Sequence, residues 1–551
     1  MNTRDYLEAK SFDGYRFFGA HKKDKGYIFR LLAPNASEAY IIGDFNDWEK
    51  QAMRKYSTGV FSITIDQAKI GDSYQFILRD GESEVKKIDP FAKSINYTEK
   101  AAVICDGSYK FKSKKIKTEV RNILQVFLGS LFNNEEKSAD EILSLIIDHS
   151  LDNNYDTIIL MPVNEYQNYK SMGYASLNLF SYSNRYGDIA SFKKFIDLAH
   201  KNKIKVLVEI DIGEFDPDNA GLISFDGNNI YNYDYDDILY NYYGSINFDL
   251  SKDLAKSYIQ SAVDYYLKEY KVDGIYFSAI ENILYWQGDK NRGLNIESSE
   301  FLSKLNTHIK ESKALSLAGF SGEYKNDIDF DMVFDNKTKA CINMLKDQPM
   351  KRDYYKNFIT DLINKATGKN LLGFSYVDSF LNEASLAMKM YSDDKKLEQL
   401  KTLLTFLYTI KSPKMLFMGD DSGDLKTFSV YNKFDFKKFE NNIEDFNTYY
   451  KDITDLFIKE NCLSDEDSEV DLLDVEGYSL YAYKRTYKKD SFLVVINFTD
   501  IDYKIESQYD LEEIINTEDL KYKGSGNING SLNKGDSINI MPFGSAIFRI
   551  K

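Results

Sequence analysis

The sequence predicts a multidomain α/β plus β protein, in which a small β-sandwich precedes a parallel (β/α)8 barrel and a second antiparallel β-sandwich closes the chain. Short β-branched and aromatic runs separated by turn residues fill residues 27–111. From Asn122, strand-like and helix-like segments alternate over about 340 residues. After Ser464 the β pattern returns. A length of 551 residues suits three to four units of roughly 150 residues each. The expected boundaries are 1–115, 116–463 and 464–551.

In the first unit, YIFRLL, EAYIIG, VFSITI, SYQFIL and KAAVIC are strands, punctuated by APN, GDFND, TG and GD. The basic run Lys112–Lys117 reads as a solvated linker or exposed edge. In the second unit NILQVFLG is a strand, Ser138–Asn154 a helix and TIILMPV a strand. Ser191–Lys203 is an amphipathic helix, and helical periodicity over Leu254–Tyr270 lies between the strands KVLVEIDI and VDGIYFSAI. The third unit holds YSLYAYKR, FLVVINF, YKIES, SINIMP and SAIFRI. The chain contains neither internal repeats nor a low-complexity tract.

Composition narrows the function. Hydrophobic residues are 43% and charged residues 28%, enough for sizeable cores. No apolar run reaches the ~20 residues of a membrane span, and MNTRDYLEAK carries no signal-peptide stretch, so a soluble, cytoplasmic protein without membrane contacts is expected. A net charge of −16 argues against nucleic acid as partner. Cys105, Cys341 and Cys462 are too few and too scattered for a disulfide framework or metal site. The four histidines, His21, His149, His200 and His308, assemble no metal site or Ser-His-Asp triad, and His149, His200 and His308 are expected to be partly exposed helix residues. No cofactor is implied. Aromatics reach 15%, with 42 Tyr and 37 Phe; such faces suit carbohydrate, though an A/T-rich codon bias yields the same excess.

Several segments together carry a specific resemblance. FRLLAPNASEAYIIGDFNDWE (Phe29–Glu49) resembles the glycogen-binding-type sandwich of 1,4-α-glucan branching enzymes, and DPFAKS (Asp89–Ser94) that module's exit. ILMPVNEY, NRYGDIASFKKFIDLAHKNKIKVLVEID and VDGIYFSAIENILY resemble successive barrel segments of the same enzymes. LKDQPMKRDYY, SPKMLFMGDD and LVVINFTD extend the likeness into the C-terminal sandwich. The resemblance implies the α-amylase superfamily, whose members remake α-glucosidic bonds with retention. Such chemistry needs two carboxyls about 5–5.5 Å apart, one as nucleophile and one as general acid.

The residues that match the family's catalytic positions do not supply those carboxyls. The nucleophile strand of the family reads Asp-Gly-x-Arg-x-Asp-Ala; here Asp273-Gly274-Ile275-Tyr276-Phe277-Ser278-Ala279 puts Ser278 at the nucleophile and Tyr276 at the arginine. Gly319 falls at the general acid, Val377 at the third carboxylate and Tyr376 at its neighbouring histidine. The preceding strand, which carries Asp and His in the family, offers Glu209 and Glu214. Losing even one such group typically raises the barrier by several kcal/mol.

Relocated acids could restore activity: Glu209 and Asp211, spaced to share a strand face, and Glu323 and Asp378, close to vacated positions. Glu281 could instead begin a helix as its N-terminal acid. Glucan contact is expected at Tyr174, which matches a sugar-stacking Gly-Tyr but is flanked by Met172 and Ala175, and at Tyr376 and at Trp48 in GDFNDW. Trp286 stands beside the matching Tyr285. Three functions stay open. The first is a catalytically inactive, glucan- or glycogen-associated protein with a regulatory role and a protein partner in glycogen metabolism. The second is an active branching or transfer enzyme with relocated acids, and the third a protein-interaction scaffold.

Overall fold

The structure, a computed structural model, describes residues 2–133, 137–322, 327–335, 337–379, 384–392, 394–436 and 444–551. In the N-terminal sandwich one sheet joins Gly19–Lys22, Tyr27–Leu32, Val60–Ile65 and Arg54–Lys55. The facing sheet is built around Glu38–Gly43, Ser73–Asp80 and Ala101–Val103. Period-two alternation sends Phe29, Leu31, Ile41 and Phe76 between the layers, where each is essentially inaccessible to water.

Ahead of the sandwich, the short helix Thr3–Leu7 is capped by Asn2 and lies against the barrel helix Asp253–Tyr265. Ser257 donates to the Tyr6 carbonyl, and the Gly14 amide donates to Ser261 Oγ at 3.1 Å. The basic run 112–117 is irregular and is not wholly solvated. Lys115 is half-buried and donates to the Val272 carbonyl at 2.9 Å, and desolvation lowers its pKa.

Eight parallel strands make the barrel: β1 (Asn122–Val126), β2 (Thr157–Leu160), β3 (Lys205–Glu209), β4 (Gly274–Phe277), β5 (Leu315–Gly319), β6 (Met332–Phe334), β7 (Leu372–Gly373) and β8 (Lys414–Phe417). They run in the order β6-β5-β4-β3-β2-β1-β8-β7. The ring closes between β6 and the approach to β7, where Val333 N–H donates to Lys369 O and Leu371 N–H to Val333 O, each at 2.9 Å. Helices Ala139–Asp152, Ile189–Lys201, Asp253–Tyr265, Ile296–Glu311 and Lys396–Thr409 clothe the outside, and Tyr266–Tyr270 continues the third as a wider π turn. β5 passes to β6 through residues 320–331, whose described part holds no helix.

Inward side chains alternate along the strands. Ile123, Ile159, Leu207, Leu317, Met332 and Met415 fill the barrel with Tyr276 among them. Two residues further along, the same faces present Gln125, Glu209, Ser278 and Gly319 at the C-terminal mouth, where barrels of this type carry their sites.

The C-terminal module is a six-stranded antiparallel sheet packed on the pair Tyr503–Glu506 and Ser537–Ile540, over a core of Leu480, Val495, Leu511, Ile538 and Phe548. Arg352 ties it to the barrel. Fully buried, it donates to Phe498 O at 2.7 Å, Gln399 Oε1 at 2.6 Å and Leu345 O at 3.1 Å, and desolvation lowers its pKa to about 10.

All three cysteines are free thiols. Each of the three helical histidines is paired with a carboxylate: His149 with Asp421 at 2.6 Å, His308 with Asp264 at 2.9 Å and His200 with Asp273 at 2.8 Å. His200 corrects the expectation of partial exposure. It is buried, because it packs under β3 and β4 and holds the aspartate that leads β4. Among the described residues, no helix is long and apolar enough to cross a membrane.

Candidate functional site

Glu209, the last residue of β3, is wholly buried at the centre of the mouth. Tyr174 Oη donates to its Oε1 at 2.6 Å and Gln125 Nε2 to its Oε2 at 3.1 Å. Gln125 Oε1 in turn accepts from the Tyr376 amide at 2.9 Å, and the rings of Tyr174 and Tyr376 stack at 5.4 Å. Burial pushes the Glu209 carboxyl up to about 7; hydrogen bonding from Tyr174, Ser278 and Gln125 holds it below what burial alone would give, and the Asp211 charge adds to the rise. The Ser278 hydroxyl is buried, faces this carboxyl and lacks a partner of full hydrogen-bond geometry.

The position matched to the general acid is filled by a neighbour. β4 and β5 pair Tyr276 with Leu317, which aims the Tyr276 ring at the end of β5. A Cβ on Gly319 would lie 2.3 Å from Tyr276 Oη and 3.0 Å from Cζ. The phenol thus stands where an acid side chain would begin, and burial foremost, then the charge of Glu209, raises its pKa.

Of the other expected residues, Val377 projects to solvent at 49% exposure. Asp378 is buried and accepts from the Ser375 amide at 2.9 Å, capping its own turn instead of facing a groove; burial raises its pKa. Glu281 begins the short helix Glu281–Leu284, as its sequence position suggests, and accepts from the Ser321 amide at 3.1 Å, while its Oε2 is buried without a partner. Glu323 lies outside the described residues.

Asp211 and Glu209 do not share a pocket. β3 ends at Glu209, so strand alternation stops before Asp211. Asp211 turns into a cavity of about 430 Å³ beside the mouth, which it lines together with Glu214 and Trp286. Burial brings Asp211 up to about 6 against the Gly213 and Glu214 amides that serve it. Burial and then the charge of Asp211 bring Glu214 to about 8. Trp48 sits apart on the sandwich, 39% exposed, its indole N–H donating to Asp44 at 2.9 Å.

Sequence reasoning missed Gln125, which bridges Glu209 and Tyr376. It also missed the cavity rim, although the tyrosine-dense run YNYDYDDILYNYY (231–243) marks that segment.

A sandwich, a parallel barrel with its site at the strand ends and a closing all-β module together make the fold of the α-amylase superfamily. Residues 17–92 match carbohydrate-binding module 48 (isoamylase N-terminal domain), and residues 472–551 match the alpha amylase C-terminal all-beta domain. Among curated proteins the chain resembles glycogen branching enzymes. It is 28% identical to 1,4-alpha-glucan branching enzyme GlgB 2 of Clostridium perfringens (strain SM101), covering 99% of this chain and 94% of that protein. Identity to GlgB of Fusobacterium nucleatum is 27%, over 93% of this chain and 90% of that one. Among solved structures, a pullulanase from Anoxybacillus sp. LM18-11 complexed with maltotetraose superposes with a TM-score of 0.79 at 14% identity. That match covers 100% of this chain and 89% of the other. A putative alpha amylase from Salmonella typhimurium gives 0.74 at 16% identity, covering 97% and 100%.

Proposed function

We propose that this chain is a catalytically inactive, α-glucan-associated protein, acting in the cytoplasm as a binding or regulatory component of glycogen metabolism beside a protein partner. The observation that carries the reading is the pairing of Gly319 with Tyr276, because the phenol occupies the space an acid would need. Ser278 at the nucleophile position and exposed Val377 at the third carboxylate support it. A serine hydroxyl is a poor nucleophile at an acetal carbon, and the carboxyl that Ser278 faces, Glu209, is already engaged by Tyr174 and Gln125. Glu209, held by Tyr174 and Gln125, serves as the centre of a packed polar network. Glucan contact is assigned to the sandwich, with Trp48 as its stacking face.

The purified protein is expected to leave the iodine stain and linkage composition of amylose unchanged while being retarded in a glycogen-containing gel. Trp48→Ala should reduce that retardation about fivefold, roughly the worth of one stacked ring. New α-1,6 links would overturn the inactive reading, and unretarded migration would leave only a protein scaffold.

One observation favours a second reading, transfer chemistry by relocated acids: Asp211 and Glu214 sit together in an open cavity. Turnover that Asp211→Asn and Glu214→Gln abolish would establish it.

A further inference from the structure

The cavity beside the mouth has a character of its own. The loop after β3 and the turn after β4 enclose it, and the Gln287 side chain joins the two walls by donating to Asp237 O at 2.7 Å. Its rim is aromatic: Tyr240, Tyr242, Tyr243 and Trp286 line it with exposures of 51%, 96%, 81% and 40%. Tyr242 and Tyr243 stand edge to face at 5.3 Å, so ring faces are left open to a ligand. Apolar area this exposed is a cost to the free protein that a stacked ligand removes.

The charge of the cavity is one-sided. Asp211, Glu214 and Asp237 line it, and no lysine, arginine or histidine does so among the described residues. The nearby Lys252 is engaged elsewhere, with Asp234 at 2.9 Å and the Asn229 carbonyl at 2.6 Å. Burial and the neighbouring Asp211 charge leave Glu214 holding its proton at neutral pH, and a neutral sugar would leave that proton in place. A cation between the two would displace the proton and pair with both carboxylates, and aromatic faces attract the same charge. Among the described residues no group of three or more His, Cys, Asp or Glu is placed to hold a metal ion.

We propose that this cavity binds a small hydroxylated ring that carries an ammonium group, that is an amino sugar, with the ring on Tyr242, Tyr243 and Trp286 and the cation between the Asp211 and Glu214 carboxylates. This site is separate from the glucan contact assigned to the sandwich.

Titration calorimetry at neutral pH with methyl 6-amino-6-deoxy-α-glucoside, methyl α-glucoside and methylammonium tests it. The amino sugar should bind at least tenfold more tightly than either of the others. Asp211→Asn keeps the acceptor for the Gly213 amide, bonded at 2.7 Å, and should weaken binding tenfold or more, as should Glu214→Gln. Tyr242→Ala, at a fully solvated position, should weaken it about fivefold with an unchanged melting profile. Equal affinity for the neutral glucoside, equal affinity for methylammonium, absence of saturable binding, or indifference to the carboxyl variants would each overturn the proposal. Retardation in glycogen, read on the same samples, reports the sandwich contact independently.

Discussion

Gly319→Ala should destabilise the barrel by about 1–3 kcal/mol, the usual cost of forcing a methyl group into a filled core. The added Cβ meets Tyr276 Oη at 2.3 Å, and Tyr276 cannot retreat because its ring is 3% exposed within the barrel interior. Tyr276→Val alone should also destabilise, by emptying that space. In the double variant the alanine methyl enters room the ring has left, so its cost should fall to near zero. The urea midpoints of the four proteins read this as a coupling of about 1–3 kcal/mol. Independent, additive effects would mean that the phenol does not occupy the place described. The consequence for evolution of the site is direct: a carboxylate at 319 cannot return by one substitution, since Tyr276 must leave first.

Glu209→Gln should make the protein more stable at pH 8, by about 3 kcal/mol, and leave it nearly unchanged at pH 4. The folded carboxyl titrates at about 7 against an ordinary 4.5, chiefly because it is buried. Below the ordinary value both states are protonated and nothing is lost. Between about 4.5 and about 7 the unfolded chain gives up its proton while the folded chain keeps it, so stability falls as pH rises. Above about 7 the folded protein carries a buried charge. Glutamine removes the titration and can still accept from Gln125 while its amide faces Tyr174. Melting profiles from pH 4 to 8 should therefore slope less in the variant over the window between the two values. A slope equal to that of the parent protein would show that Glu209 is not the group responsible.

Much of the fold was legible because alternation and burial coincide. The runs YIFRLL, TIILMPV and FLVVINF became strands, and the helix expected over Ser138–Asn154 spans Ala139–Asp152. β7 left no signal, since only Leu372 and Gly373 pair. The anchors Asp273 and Gly274 put Ser278 at the end of its strand, and the run Leu315–Phe320 put Gly319 at the end of the next. What the ring of Tyr276 does there depends on register between β4 and β5, a relation between distant segments that local pattern does not contain. Spacing also misjudged Asp211, because the two-residue period holds only while the strand lasts and β3 stops at Glu209. His200 was read as partly exposed because one helical turn looks like another until its partner Asp273 is known.

The closure between β6 and β7 rests on two backbone hydrogen bonds, whereas β1 and β2 pair through four successive residues. Thermal fluctuation therefore has a preferred place to begin. The amides of Val333 and Leu371 should trade hydrogen for deuterium before those of Leu124 and Ile159, and the cylinder should unzip along that side first. The two shortest members of the ring, β6 and β7, would then come apart while β1 to β4 still hold.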